Sequence, residues 1–307
     1  MSKIDKIEEL QGILKEDAAN FQVRRQLAVL LLDSGFNEEA LQHFLYLSKI
    51  FTEDSGIFYN LGIVYEKLKN LDKAEINYKQ AIKLAPDETD AYYNLGLVYI
   101  DKRKYEEAVE CFEAVLEKDN NDSNAYFSIG LCYFKEGKLD GAKYYFQRTV
   151  DLNDEDIYAH FYIGNILKEN GENEAAREKF NKVLEISPDY SWAYFNLGSI
   201  YYEEGENDKA KEFLQKTLDL NPKDDNASVI YSKILAKENR FDEAIMLLKN
   251  ALLNNPYNGD VNYTLAHYYK ETGDQEHYKY HLKEALNNHD SLSVSIKQLK
   301  LEYEAVQ

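Results

Sequence analysis

The sequence is poor in the residues that stop or staple a chain, with four prolines and two cysteines among 307 residues. Cys111 and Cys132 are too few for a disulfide framework and form no C-x-x-C pair, so they read as free, partly buried thiols. No apolar run approaches the length that spans a bilayer, which argues against membrane insertion. The opening MSKIDKIEELQGILKED carries charges every few residues and no apolar core, so it does not read as a secretory signal. A cytoplasmic location is expected. No long Gly, Ser or Pro tract marks a flexible linker. Positive charge is also scarce: 36 Lys and Arg stand against 55 Asp and Glu, a formal net charge of -19. Nucleic acid and anionic membranes need a basic patch, so neither is an expected partner.

Catalytic signatures are missing as well. There is no G-x-x-x-x-G-K-[ST], no G-x-S-x-G, and no G-x-G-x-x-G between a strand and a helix. No catalytic residue and no cofactor is therefore assigned, and the chain is expected not to be an enzyme. His277 and His281, in QEHYKYHLKEA, could face one metal from a single helix, with Glu276 nearby. No third and fourth ligand is evident, so they read as surface histidines and no metal site is assigned. His160 falls in a slot that faces the second helix of its repeat and reads as a packed core residue.

What the chain has in abundance is repetition. Gly62, Gly96, Gly130, Gly164 and Gly198 are each 34 residues apart, and the same ruler reaches Ala28, Ser232 and Ala266. Twelve residues after each comes Ala40, Ala74, Ala108, Ala142, Ala176, Ala210 and Ala244, with Tyr278 breaking the series. Pro86, Pro188, Pro222 and Pro256 share one slot, and Gly35, Gly137, Gly171, Gly205 and Gly273 share another. Apolar residues at helical spacing fill the first half of each unit. A mid-unit Gly, or Lys or Asn, then supplies a left-handed helix end, and a second amphipathic stretch follows until Pro stops it. Each unit is a helix hairpin that cannot bury its faces alone and must stack on its neighbours.

The phrases YYNLGLVY at Tyr92 to Tyr99, Ala108 followed by Phe112, and Pro86 one repeat earlier resemble the tetratricopeptide repeat family. The resemblance covers 21–54, 55–88, 89–122, 123–156, 157–190, 191–224, 225–258 and 259–292 without an insertion. It implies an all-α fold, a right-handed superhelical α-solenoid of helix-turn-helix repeats. Residues 1–20 match a second helix, with Leu10 in the Phe slot, and would cap the first repeat. Residues 293–307 read as a one-sided capping helix, with Leu292, Ile296, Leu299, Tyr303 and Val306 on one face. A homodimer contact through that helix is the alternative use.

The small and large slots being filled by packing, positions two, five, six, nine, twelve and thirteen of each first helix are left to point into a concave face. Position five carries Tyr59, Tyr93, Phe127, Phe161 and Phe195, an aromatic ladder, and position six carries Asn60, Asn94 and Asn196. Trp192, the single Trp, holds position two, and Asn165 and Lys233 hold position nine. Rings beside primary amides suit an extended peptide, since an amide both donates to and accepts from peptide groups. Peptide binding in such a groove is also what the resemblance implies. Tyr93 and Asn94 are expected to face the groove and to be dispensable to the stack. The groove is read as apolar in its first half and more polar and locally basic in its second, with Lys168, Lys233, Lys237 and Lys270. Family members that hold chaperone C-terminal tails need a set of Lys, Asn and Arg that no three consecutive units match. Such tails are not expected to bind. The expected function is a protein-interaction scaffold; the alternatives are a self-associating assembly part or a substrate-recruiting subunit of a separate enzyme.

Overall fold

One backbone corner recurs along the chain and joins the two helices of each repeat. In the computed structural model, which describes residues 2–306, the mid-repeat residues Gly35, Lys69, Arg103, Gly137, Gly171, Gly205, Asn239 and Gly273 have φ between 57° and 84°. Each ends a helix in the same way. The next residue donates its N–H back across the turn, as Lys138 N does to Tyr133 O at 2.9 Å and Asn70 N to Tyr65 O at 2.8 Å. This satisfies carbonyls that the helix leaves unpaired. Glycine adopts the conformation without strain; Lys69, Arg103 and Asn239 adopt it against the clash of their own Cβ.

The chain divides into two compact units, Met1–Asp156 and Ile157–Gln307. The first contains α1 (Lys3–Glu16), α2 (Phe21–Asp33), α3 (Asn37–Ser48), α4 (Ser55–Lys67), α5 (Leu71–Leu84), α6 (Thr89–Asp101), α7 (Tyr105–Lys118), α8 (Ser123–Lys135) and α9 (Leu139–Leu152). The second contains α10 (Ile157–Glu169), α11 (Asn173–Ile186), α12 (Ser191–Glu203), α13 (Asn207–Leu220), α14 (Asp225–Lys237), α15 (Phe241–Asn254), α16 (Gly259–Glu271), α17 (Gln275–Asn287) and α18 (Ile296–Glu304). A short 3₁₀ turn, His289–Ser291, separates the last two. The fold is all-helical among the described residues, and no helix there is long and apolar enough to cross a membrane. Within each unit the helices pack in order, α2 on α3, α4 on α5 and so on, each second helix also touching the next first helix.

Close approach inside each hairpin comes from the small slots. Ala40, Ala74, Ala108, Ala142, Ala176, Ala210 and Ala244 are all fully buried. A Cβ added at Gly96 would lie 2.7 Å from the Phe112 ring, and one at Gly62 would lie 2.4 Å from Tyr78. Gly130 and Gly164 face Phe146 and Phe180 in the same way at 2.8 Å. Gly62, Gly96, Gly130 and Gly164 thus exchange helix propensity for a large ring seated against bare backbone, and Gly198 does the same for Leu214.

The ends are covered from within the chain. Ser2 caps α1 through a reciprocal pair of bonds with Asp5, and Ile7 and Leu10 are buried in the core of the first unit. At the other end the helix begins at Ile296, later than the expected 293, because Ser293 is held elsewhere: its N–H and hydroxyl both donate to Asp260 Oδ1, at 2.7 and 2.9 Å. Leu299 is fully buried and Leu292, Tyr303 and Val306 pack beside it, whereas Ile296 is exposed.

Candidate functional site

The residues that open the first helices do different work in different repeats. The slot before each of these helices holds Asn20, Asp54, Asp122, Asp224 and Asn258, whose side chains accept from the backbone of the first turn. That is ordinary N-capping. Tyr190 occupies the same slot before α12 and makes no capping bond. Its ring instead packs edge-on against Phe161, 5.3 Å away, and against Tyr158 at 6.4 Å. Helical spacing brings Phe161 and Asn165 onto one face of α10, and Trp192, Phe195 and Asn196 onto the facing side of α12. Together with Tyr190 they line a pocket of about 410 Å³. Trp192 stands 52% exposed at its edge.

The pocket's polar groups are unequally committed. Asn196 is buried; its amide donates to Trp192 O at 2.9 Å, and its Oδ1 accepts from Lys168 Nζ at 3.2 Å. Lys168 also donates to Ser199 Oγ at 2.9 Å, which in turn donates to Glu203. Burial lowers the Lys168 pKa, because its nearest partners are neutral oxygens; the more distant Glu203 charge opposes the shift. The ammonium lies 5.9 Å from the Phe195 ring centre. Among the described residues, Asn165 Oδ1 and Nδ2, Tyr190 Oη and Trp192 Nε1 make no hydrogen bond within the chain.

Phe195 is also a wall of a second cleft, about 430 Å³, floored by Val229, Ile230 and Tyr263 with Lys233 on its lining. The C-terminal segment closes this cleft with Ser293 and Val294. It is clamped there. Besides the Ser293 bonds to Asp260, Tyr263 Oη donates to Glu302 Oε1 at 3.1 Å and His267 Nε2 sits 3.5 Å from Glu302 Oε2. Asp260, Tyr263 and His267 are positions two, five and nine of the last repeat. Lys237 lies over the Tyr202 ring at 4.3 Å and Lys270 near Tyr278 at 5.6 Å.

In the first unit Tyr93 and Asn94 line a cleft but also bond across repeats, which corrects the expectation that they are dispensable to the stack. Asn94 Nδ2 donates to Tyr59 Oη at 3.1 Å, and Tyr93 Oη is 3.3 Å from Ser128 Oγ, so both bridge neighbouring repeats. Tyr93 also packs edge-on against Phe112 at 5.3 Å. They are part of the stack. Asn60 donates to its own helix at Gly56 O, and Phe127 lies against Phe146 at 5.4 Å. Burial and the nearby Asp90 raise the Tyr59 pKa against the opposing Asn94 bond. The cleft around Tyr59, Tyr93 and Asn94 is about 180 Å³ and bordered by Asp90 and Asp122.

The histidine pair divides. His277 is exposed and bonded to Asp274 at 2.8 Å, but His281 is buried, contrary to the surface reading. Its Nδ1 donates to Asn262 Oδ1 at 2.9 Å and its ring stacks on Tyr269 at 5.5 Å. Burial, then the charges of His277 and Lys249, lower its pKa to about 4. His160 is buried as a core residue. Burial raises both Cys111 and Cys132 to about 12, which keeps them as unreactive thiols. No group of three or more metal-binding side chains occurs among the described residues.

Tyr190 and the C-terminal clamp escaped the sequence reading. The signal for Tyr190 was a ring in a slot that otherwise carries Asn or Asp in six of eight repeats; nothing in the spacing pointed to the clamp.

Family models of the tetratricopeptide repeat match residues 56–88, 89–122, 124–154 and 191–224, and a TPR repeat model matches 164–205. Together they span over half of the chain. Among solved structures, YrrB, described as a TPR protein with an unusual peptide-binding site, is 29% identical with a TM-score of 0.51, over 60% of this chain and 95% of its own. MamA from Desulfovibrio magneticus RS-1 is 27% identical with a TM-score of 0.53, over 56% of this chain and 97% of its own. A tetratricopeptide repeat protein from Parabacteroides merdae, 14% identical over 82% of this chain and 98% of its own, shares the fold with a TM-score of 0.62. No curated protein sequence matches the chain.

Proposed function

As the chain belongs to the tetratricopeptide repeat family, we propose that it is a non-enzymatic protein-interaction scaffold that binds an extended partner segment along its first helices. The observation that carries this reading is the C-terminal clamp. The chain's own C-terminal residues are seated on the last repeat: Asp260 accepts from the N–H and hydroxyl of Ser293, Tyr263 donates to Glu302 on α18, and Val294 lines the same cleft as Val229 and Ile230. Asn165, at position nine of α10, and Trp192, at position two of α12, hold two of the corresponding places and carry unspent hydrogen-bonding groups. The peptide-binding site in YrrB's description is consistent with the reading.

The test is affinity capture with the wild-type chain and with a Phe161→Ala, Asn165→Ala double variant, each matched for helical circular dichroism. Proteins retained by the wild type and lost from the folded variant support the reading. An identical set retained by both overturns the assignment of this face.

A further inference from the structure

The pocket between α10 and α12 has a lopsided hydrogen-bonding capacity. An ordinary extended peptide presents one N–H for each C=O, and the amides of a clamp serve both. Here Lys168 and Trp192 O have already engaged Asn196, and Lys168 takes its only acceptor atom. What remains unspent is mostly donors: the Trp192 indole N–H, the Tyr190 hydroxyl, the Asn165 amide and the second hydrogen on Asn196 Nδ2. Acceptors are reduced to Asn165 Oδ1 and the Tyr190 oxygen.

The walls are rings at angles to one another. Tyr190 stands at 68° to Phe161, and Trp192 and Phe195 complete the pocket. Tyr190 holds the place where Asn20, Asp54, Asp122, Asp224 and Asn258 cap their helices, so a capping bond is forgone for a wall. A cationic guest is disfavoured, because Lys168 already sits near one face of Phe195 and bonds to the pocket's amide. The Tyr59 cleft of the first unit is of another kind: it is bordered by the acids Asp90 and Asp122, and its Asn94 amide donates to Tyr59.

We propose that this pocket takes a proline-containing segment in polyproline II conformation, its pyrrolidine ring between the aromatic walls and its carbonyl oxygens on the unspent donors. The inference rests on the peptide-binding reading above and narrows it. Proline has no N–H to leave unpaired, its carbonyls in this conformation point outward unbonded, and its ring packs on aromatic faces with little entropy to lose. Donor surplus and aromatic walls are what such a segment needs from a partner.

Trp192 is the only Trp in the chain, so its emission, excited where tyrosine does not absorb, reads this pocket alone. The full-length chain is titrated with a proline-rich peptide of about ten residues, its alanine-substituted analogue, an acidic peptide and a trimethyl-lysine peptide. The expected result is a saturable change in Trp192 emission with the proline peptide, and affinity lower by about tenfold or more for the alanine analogue. Asn165→Ala, a helix-favouring change, is expected to weaken binding of the proline peptide by about tenfold. Tyr190→Asp, which restores the cap found in other repeats, is expected to abolish it. Equal or tighter binding of the alanine, acidic or methylated peptide overturns the proline specificity and leaves the peptide groove standing. Unchanged affinity in either variant, with circular dichroism intact, overturns the assigned contacts. No response to any peptide at millimolar concentration removes the groove reading too.

Discussion

Gly96→Ala tests the packing logic of the hairpins most directly. The added methyl would meet two Phe112 ring atoms at 2.7 Å and a third at 3.1 Å. Phe112 is fully buried and has Tyr93 against its face, so the ring has little room to retreat. Overpacking of this kind costs about 1–3 kcal/mol. Replacing Gly by Ala within a helix returns about 1 kcal/mol. Because the ring has little room to retreat, the overpacking cost falls in the upper part of its range, about 2–3 kcal/mol. The net expectation is a loss of about 1–2 kcal/mol, which raises the population of the locally opened hairpin roughly 5- to 30-fold. Cys111 is a built-in probe, adjacent in sequence to Phe112 and buried with a thiol pKa near 12. Its alkylation in the native state, located by mass spectrometry, should accelerate by the same factor. Phe112→Leu should cost about 1 kcal/mol alone, yet the double variant should be less perturbed than the sum by about 1 kcal/mol. The chain already carries a small residue larger than Gly with a Leu in the corresponding slots of two repeats, Ser232 with Leu248 and Ala266 with Leu282, all fully buried. Ala28 and Phe44 occupy the same two slots in the first repeat, both fully buried, but α2 and α3 are packed together less extensively than α6 and α7. Unchanged or slower labelling of Cys111 in Gly96→Ala, or strict additivity in the cycle, would refute this account.

The geometry dictates three further outcomes. Arg103→Gly and Lys69→Gly remove a left-handed non-glycine residue and should stabilise their hairpins by about 0.5–1 kcal/mol, the relief of strain being partly offset by a freer unfolded chain; Gly137→Ala, with nothing within 4 Å of the new methyl, should cost about 1 kcal/mol through backbone conformation alone. Local hydrogen exchange measures both. His281, with its folded pKa lowered to about 4, should make the last hairpin acid-sensitive: nothing is lost above the unfolded value near 6.5, and stability falls as pH drops toward 4 because only the unfolded chain takes up the proton. About 1–2 kcal/mol should be gone at pH 5, and a His281→Gln variant should show a flatter profile over that range in thermal unfolding. Tyr190→Asp should raise the stability of α12 by about 1 kcal/mol through restored capping, read as slower exchange of its first-turn amides; faster exchange would mean the ring contributes more to the fold than the cap it displaces.

The hairpin architecture was legible because each constraint falls in a fixed slot. A corner that needs positive φ, a small residue under a ring and a proline past a helix end are all local requirements, and 34-residue spacing repeats them. Helical periodicity also told which residues share a face, as with Phe161 and Asn165. It could not tell which of them are already engaged. Asn94, at position six of its repeat, and Asn165, at position nine of its own, are both amides on the expected groove face, yet one is bonded to Tyr59 across repeats and the other is not. That distinction depends on whether a partner with a hydroxyl stands within reach on the neighbouring helix. His281 was misread for a related reason: Tyr278 replaces the usual Ala, and in this altered hairpin His281 stacks on Tyr269. The C-terminal clamp rests on Asp260 and Glu302, which as isolated acids in an acidic sequence carry no signature at all.

The Tyr190 pocket draws its walls from both sides of one repeat boundary. By the 34-residue register Phe161, Asn165 and Tyr190 travel with one repeat, while Trp192, Phe195 and Asn196 travel with the next. A duplication, deletion or exchange of a single repeat would therefore carry away half of the pocket's lining and leave the fold's own joints intact. The pocket in this chain is a property of adjacent repeats taken in pairs, so shuffling repeats can erase or create a cavity in one event while every hairpin remains well formed.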